Sequence, residues 1–282
     1  MRAYRNEIAG ALIISLAIIG TIVFFLLHLK EKKAEGSLDL YSLILPDVDY
    51  VLSINKPIQF SKVLEHHPQL KNYFKTLIPE EYFNLLSQVK HSSILLACYP
   101  QGVVIYYHLY NEQDEVFACF PKESFVAVKN EAIHFEFYPK APNQYLGKYI
   151  YEGVGVASSS RKLLELVAEC HRKKNNTSIF FQKGLKDKID NEAILNAIFQ
   201  YDFEPGWQTI DLFLHEEQVC CLYNHTFAEI TDSIVASTAD SLKLLIEDQI
   251  PDIHVQSGIS IADSIVYYTF CTPLNPEVLS SK

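Results

Sequence analysis

The chain carries none of the short signatures that announce a chemistry. Six cysteines are spread over 282 residues, with no C-x-x-C pair and no zinc-ligand spacing. No G-x-S-x-G elbow surrounds the serine run Ser158, Ser159 and Ser160. Gly153 and Gly155 lack the third glycine and the phosphate-binding turn of a dinucleotide site. A basic surplus is missing too. The 24 Lys and Arg against 34 Asp and Glu leave a net charge of −10. Neutralising phosphates takes clustered cations, so nucleic acid is excluded as a partner. No catalytic, cofactor-binding or metal-ligating set is assigned, and an enzyme is the less favoured reading.

What is present begins with an apolar run. Residues 8–29, 22 in number, contain no Asp, Glu, Lys or Arg. As a helix they span roughly 33 Å, enough for a hydrocarbon core of about 30 Å. The run exceeds the apolar region of a cleaved signal peptide and has no Ala-x-Ala exit, so it is read as an uncleaved signal anchor. Gly10, Ala11, Ala17 and Gly20 give it small residues without a strict G-x-x-x-G. Arg2 and Arg5 before the run nearly balance Lys30, Lys32 and Lys33 after it, so flanking charge does not orient it. The large segment that follows favours a cytoplasmic N-terminus and an exported C-terminal domain.

The expected organisation is a short cytoplasmic segment (1–7), the transmembrane anchor (8–29), a tether (30–38), an extracytoplasmic α+β domain (39–275) and a tail (276–282). With 49% hydrophobic and 12% aromatic residues, the domain has material for a real core. Helices are predicted after Pro57, around Leu70–Leu77 positions, over Tyr82 to Val89, and over 191–200. Strands are predicted at 47–55, 92–99, 103–110, 115–120, 124–129, 132–138, 148–157, 207–214, 219–223, 253–264 and 265–271. The turn at Pro100, Gln101 and Gly102 is expected to pair Cys98 with Val103. Cys98 and Cys119 would then be out of step, so no bridge between them is implied.

An internal repeat marks the middle of the chain. Residues 156–167 align without gaps on 235–246: Val-Ala-Ser is shared, and Leu163/Leu242, Leu166/Leu245 and Val167/Ile246 keep the apolar spacing. Both copies suggest a buried strand, a Ser/Thr cap and an amphipathic helix. The fold class expected is therefore α+β: an N-terminal transmembrane helix and two related halves (39–175 and 176–275), with antiparallel sheets covered by helices.

The polar groups that draw the eye have ordinary explanations. His66 and His67 are adjacent and point about 100° apart on a helix, so they form no two-His ligand face. The cluster His171, Arg172, Lys173 and Lys174 suits a helix C-terminus. The serine run suits a helix cap, and Gly153 and Gly155 ease strand packing. Acidic pairs (Glu80/Glu81, Glu216/Glu217, Asp47/Asp49) fall in turns or strand ends. Cys220 and Cys221 point to opposite faces of a strand, and buried free thiols are preferred over disulfides, one or two of which stay open in an oxidising compartment. Asn175, Asn176 and Asn224 head glycan-acceptor patterns.

Residues 44–46 leading to 50–55, then Pro57 and its helix, and the hairpin from Gly206 through Cys221 carry a family likeness. In these stretches and the anchor the chain resembles uncharacterised signal-anchored envelope proteins of Gram-negative bacteria. The resemblance implies an inner-membrane protein with a periplasmic α+β domain and brings no catalytic residues. The expected role is binding or scaffolding of an envelope protein partner, with the membrane engaged through 8–29. The alternatives are an unfamiliar hydrolase of envelope glycans or peptides, and a lipid- or ligand-binding domain.

Overall fold

A computed structural model describes residues 38–273 except 87, 111–112, 119, 121–125, 131–132, 143, 174–188, 202–203, 216–217, 227–230, 250–255 and 263–264. The predicted membrane helix (8–29) lies outside the described residues, and among those described no helix is long and apolar enough to cross a membrane. Residues Leu40–Lys282 form one compact unit. Within it twelve strands make a single sheet in the order β11-β12-β10-β9-β8-β1-β2-β3-β7-β6-β5-β4. These are β1 Tyr50–Ile54, β2 Ile94–Tyr99, β3 Gly102–His108, β4 Val126–Asn130, β5 Ile133–Ala141, β6 Gln144–Tyr151, β7 Val154–Ser158, β8 Leu195–Tyr201, β9 Glu204–His215, β10 Gln218–Thr226, β11 Gln256–Ala262 and β12 Ile265–Pro273. All neighbours run antiparallel. The α+β class is thus met, with one continuous sheet where two were expected.

Helices cover both faces of the centre, which is why β2 is buried along its whole length and shows no alternation. On one face lie α1 (Pro57–His66), α2 (Pro68–Leu77) and α3 (Glu80–Leu86), each of the first two opened by a proline whose missing N–H costs nothing there. Phe60 and Phe74 meet edge to face, 5.1 Å between centroids. Both belong to a core with Leu52, Ile54, Leu96 and Ile105. The long α5 (Asp232–Gln249) lays Val235 and Ala239 against Tyr223, Tyr268 and Phe270. On the opposite face α4 (Arg161–Lys173) buries Leu163, Leu164, Val167, Ala168 and His171.

The predicted Cys98–Val103 register is observed. Four expectations are corrected. Residues 115–118 form a turn, not a third meander strand, because Asp114 accepts the Phe117 N–H and Glu115 the His91 and Ser92 N–H groups. The run 148–157 is two strands, β6 and β7, reversing at Glu152 and Gly153 with φ of 46° and 80°, the left-handed pair a tight hairpin needs. The stretch 191–200 is not a helix: 191–194 are turn and bend, and Leu195–Tyr201 form strand β8, which buries Leu195 on one face and Asn196 and Ile198 on the other, so it lacks the buried–exposed alternation of a half-covered strand. The repeat holds only in its helical part: Leu242 and Ile246 face the core as Leu163 and Val167 do, but Val235 opens a helix where Val156 sits in a strand.

The cysteines bring a fifth correction. Cys220 and Cys271 are register partners on β10 and β12 and form a disulfide; Cys98, Cys170 and Cys221 are free thiols, and Cys119 lies outside the described residues.

Two local features fix the strands against one another. A row of polar side chains crosses the seam between β1, β8 and β9, with Ser53 opposite Asn196 and Asn196 opposite Asp211. Asn196 is fully buried and donates to Asp211 Oδ1 (2.6 Å) and to the Asp190 carbonyl (2.9 Å). Its Oδ1 accepts from Asn55 Nδ2 at 2.6 Å, and Ser53 Oγ donates to Asn55 Oδ1 at 2.9 Å. On the other side of the sheet Tyr107 lies across Gly155, its register partner on β7. A Cβ at Gly155 would fall 2.1 Å from the Tyr107 ring, so only glycine fits beneath it.

Candidate functional site

Most of the polar residues singled out in the sequence are spent on local structure. His66 is exposed, its Nδ1 2.8 Å from the Lys62 carbonyl one helical turn back. His67 is buried at the α1–α2 junction, where burial first, and His66 second, lower its pKa. Ser158 Oγ donates to the Val103 carbonyl, Ser159 Oγ accepts from Tyr82, and Ser160 Oγ caps α4 at Leu163 N–H. Glu216/Glu217, Asn175 and Asn176 lie outside the described residues, while Asn224 sits in β10 opposite Tyr267. Arg172 and Lys173 occupy the last turn of α4 as expected, but His171 points inward and is fully buried.

The densest polar convergence comes from residues far apart in the sequence. Lys148 sits on β6 beneath the 114–120 segment, with a side chain only 9% exposed. Its Nζ lies 2.6 Å from Asp114 Oδ2 and 3.3 Å from Glu136 Oε2. The ammonium also stands over Phe117 and Tyr138, 4.7 and 5.4 Å from the ring centroids. Tyr107 donates to Asp114 Oδ1 (2.9 Å) and Tyr138 to Glu136 Oε2 (2.8 Å). Burial pulls the Lys148 pKa down, but hydrogen bonding and charge from Asp114 and Glu136 outweigh it and the net direction is up. Lys148 therefore stays an ammonium at neutral pH. It clamps two carboxylates and offers no nucleophilic amine.

Beside this clamp β5 and β6 part. Their pairing ends at Glu136 and Lys148, although both strands continue, and a cleft of about 410 Å³ opens among Ile133, His134, Glu136, Lys148, Ile150 and Arg172. A broader groove of about 610 Å³ lies at the start of α4, lined by Val126, Phe137, Lys140, Tyr145 and Arg161. In the cleft His134 Nε2 stands 4.0 Å from Glu136 Oε1, but that carboxylate is already held by Lys148, and the groove at α4 has no carboxylate among its described lining residues. Among the described residues no group of three His, Cys, Asp or Glu side chains is placed to hold a metal.

His171 forms the second buried polar centre. Its Nδ1 is 2.8 Å from Tyr149 Oη and its Nε2 3.3 Å from the Leu43 carbonyl. Nε2 must donate to that carbonyl, so Nδ1 accepts from the tyrosine and the ring is satisfied as neutral imidazole. Burial pushes its pKa down to about 4, opposed by the Leu43 hydrogen bond. The ring thereby ties α4 to the 3-10 turn Leu40–Leu43.

Sequence reasoning placed Asp114 in a turn and Lys148 in a strand without bringing them together. The one signal was an inward-facing lysine in an apolar run, visible only once β6 and β7 are separated. No family model matches the chain, and no curated protein matches it. Among solved structures it is similar to TP0453 in crystal form III (TM-score 0.45, 11% identity, 88% of this chain and 100% of that one). Crystal form I of the same protein gives a TM-score of 0.43 at 10% identity, over 88% of this chain and 97% of that one. A likeness at this level leaves function open.

Two outcomes follow from the buried centres. Lys148→Met strands two carboxylates and is expected to cost about 3–5 kcal/mol in urea unfolding; the triple variant with Asp114→Asn and Glu136→Gln recovers much of that loss. His171 is neutral when folded and titrates near 6.5 when unfolded, so its contribution is complete above that pH and is lost as pH falls toward 4. The span amounts to roughly 3 kcal/mol, read as a pH slope of stability that His171→Gln removes.

Proposed function

We propose that this chain is a single-pass, membrane-anchored protein whose α+β domain lies outside the cytoplasm and binds another protein of the cell envelope. In this reading residues 8–29 anchor it in the inner membrane, N-terminus inside, and 39–275 occupy the periplasm, as in the signal-anchored envelope proteins it resembles. The carrying observation is the Cys220–Cys271 bridge across β10 and β12, since disulfides persist in oxidising compartments and are rare in the cytosol. The binding role is favoured because the buried polar groups described above are engaged in holding strands and helices. The hydrolase alternative has Asp114 and Glu136 on its side, both committed to Lys148.

The reading also takes the domain as two related halves. Strands β1-β2-β3 and β8-β9-β10 are meanders that start side by side at the middle of the sheet and run outward, each extended by a later strand, β7 or β12. The seam between them falls between α4 and β8, close to the expected boundary at 175.

Protease added to spheroplasts is expected to digest the domain, and Cys220 and Cys271 are expected to resist maleimide in cells until reduced. A protected domain with both thiols free would overturn the compartment. Turnover of an envelope substrate, abolished by one substitution that leaves the fold intact, would overturn the binding role.

A further inference from the structure

Among the described residues the sheet ends on β11, whose only strand neighbour there is β12. Its residues, Gln256, Ser257, Gly258, Ile259, Ser260, Ile261 and Ala262, include no charge and no proline. Residues 256–261 are all exposed, Ile259 by 46% and Ile261 by 52%. A Cβ built on Gly258 would meet nothing within 4 Å. Edge strands are ordinarily guarded by lysine, proline, a bulge or a covering element. The opposite edge, β4, carries Lys129. On β11 none of these guards is present among the described residues, and its register with β12 runs without a slip from Gln256–Cys271 to Ala262–Ile265.

The pairing parity follows from the hairpin. Two residues separate Ala262 from Ile265, and such a tight connection makes that couple the hydrogen-bonded pair. Alternation then turns the main-chain N–H and C=O groups of Ser257, Ile259 and Ile261 toward the open side.

We infer that β11 pairs antiparallel with β11 of a second copy, about a two-fold axis at Ile259, joining two sheets into one. In that register Ile259 meets Ile259 and Ser257 meets Ile261, and each couple exchanges both main-chain hydrogen bonds. The strand is thus self-complementary, as a two-fold interface requires. It is also an uncharged surface on a chain of net charge −10, so two copies meet there without bringing like charges together. Pairing of β11 with β4 of another copy would instead set Lys129 beside an apolar strand and grow an open filament. The chain's own residues 274–282 suit the edge poorly: they include Pro276, and they follow β12, so they would have to cross β11 to reach its outer side.

The test uses the full chain in detergent micelles. Ile259→Cys is expected to form an intermolecular disulfide on mild oxidation, at least about tenfold faster than Ile261→Cys, whose counterpart lies several residues away. Ile259→Lys, and independently Ser257→Lys, are expected to weaken the dimer tenfold or more in sedimentation while leaving the circular dichroism unchanged. Truncation after Pro273 is expected to leave the dimer intact. The inference is overturned if Ile259→Cys does not cross-link, or if the lysine variants leave the mass unchanged, as association through 8–29 alone would. It is also overturned if truncation is what creates the dimer, since residues 274–282 would then be the occupant of the edge.

Discussion

The structure depends on one buried polar row. Ser53, Asn196 and Asp211 stand side by side on β1, β8 and β9, with Leu95 beyond one end and Leu222 beyond the other. Side chains alternate along a strand, so a slip of one residue would send Asn196 and Asp211 into the apolar core under α1–α3. The row therefore specifies the register at β1–β8, the only strand pair among the described residues that joins the first seven strands to the last five. The connecting segment is tied to the same point. The Ile194 carbonyl accepts from Asn55 and Lys56 N–H, and Ile194 N–H donates to Leu212. Burial raises the Asp211 pKa against the hydrogen bonds of Asn196 and Asp190, so the site costs desolvation and is tolerable only because every partner is in place.

The other buried polar centres repeat this logic on the two faces of the sheet. Lys148 fastens the 114–120 segment over β5 and β6, and Tyr107 reaches the same Asp114 only because Gly155 lets its ring lie flat. His171 fastens the turn that follows the tether to the end of α4. The buried polar side chains described here are spent on internal locks, which leaves recognition to the edges and the surface and is the physical basis for proposing a binding protein.

Local chemistry made much of the first half legible. Pro57 announced α1, the spacing of Leu70, Tyr73, Phe74 and Leu77 announced α2, the Pro100–Gly102 turn set the register of β2 on β3, and the serine run 158–160 announced the cap of α4. The errors came where burial on both faces erases alternation, as in β8, or where a two-residue turn hides inside an apolar run, as at Glu152 and Gly153. Shared spacing misled as well: Val-Ala-Ser serves equally in β7 and in α5, because helix and strand tolerate those residues alike. Convergence of Asp114, Glu136 and Lys148, and the meeting of Cys220 with Cys271, depend on pairings between distant strands that no local pattern encodes.

The central claim is that the polar row acts as a unit to hold the two parts of the sheet in register. A double-mutant cycle on Asn196→Leu and Asp211→Leu, read by urea unfolding, addresses it most directly. Each single change is expected to cost about 2–4 kcal/mol by stranding its partner, and the double variant to lose less than the sum by at least about 1 kcal/mol. Additive losses, or singles that cost nothing measurable, would contradict the account.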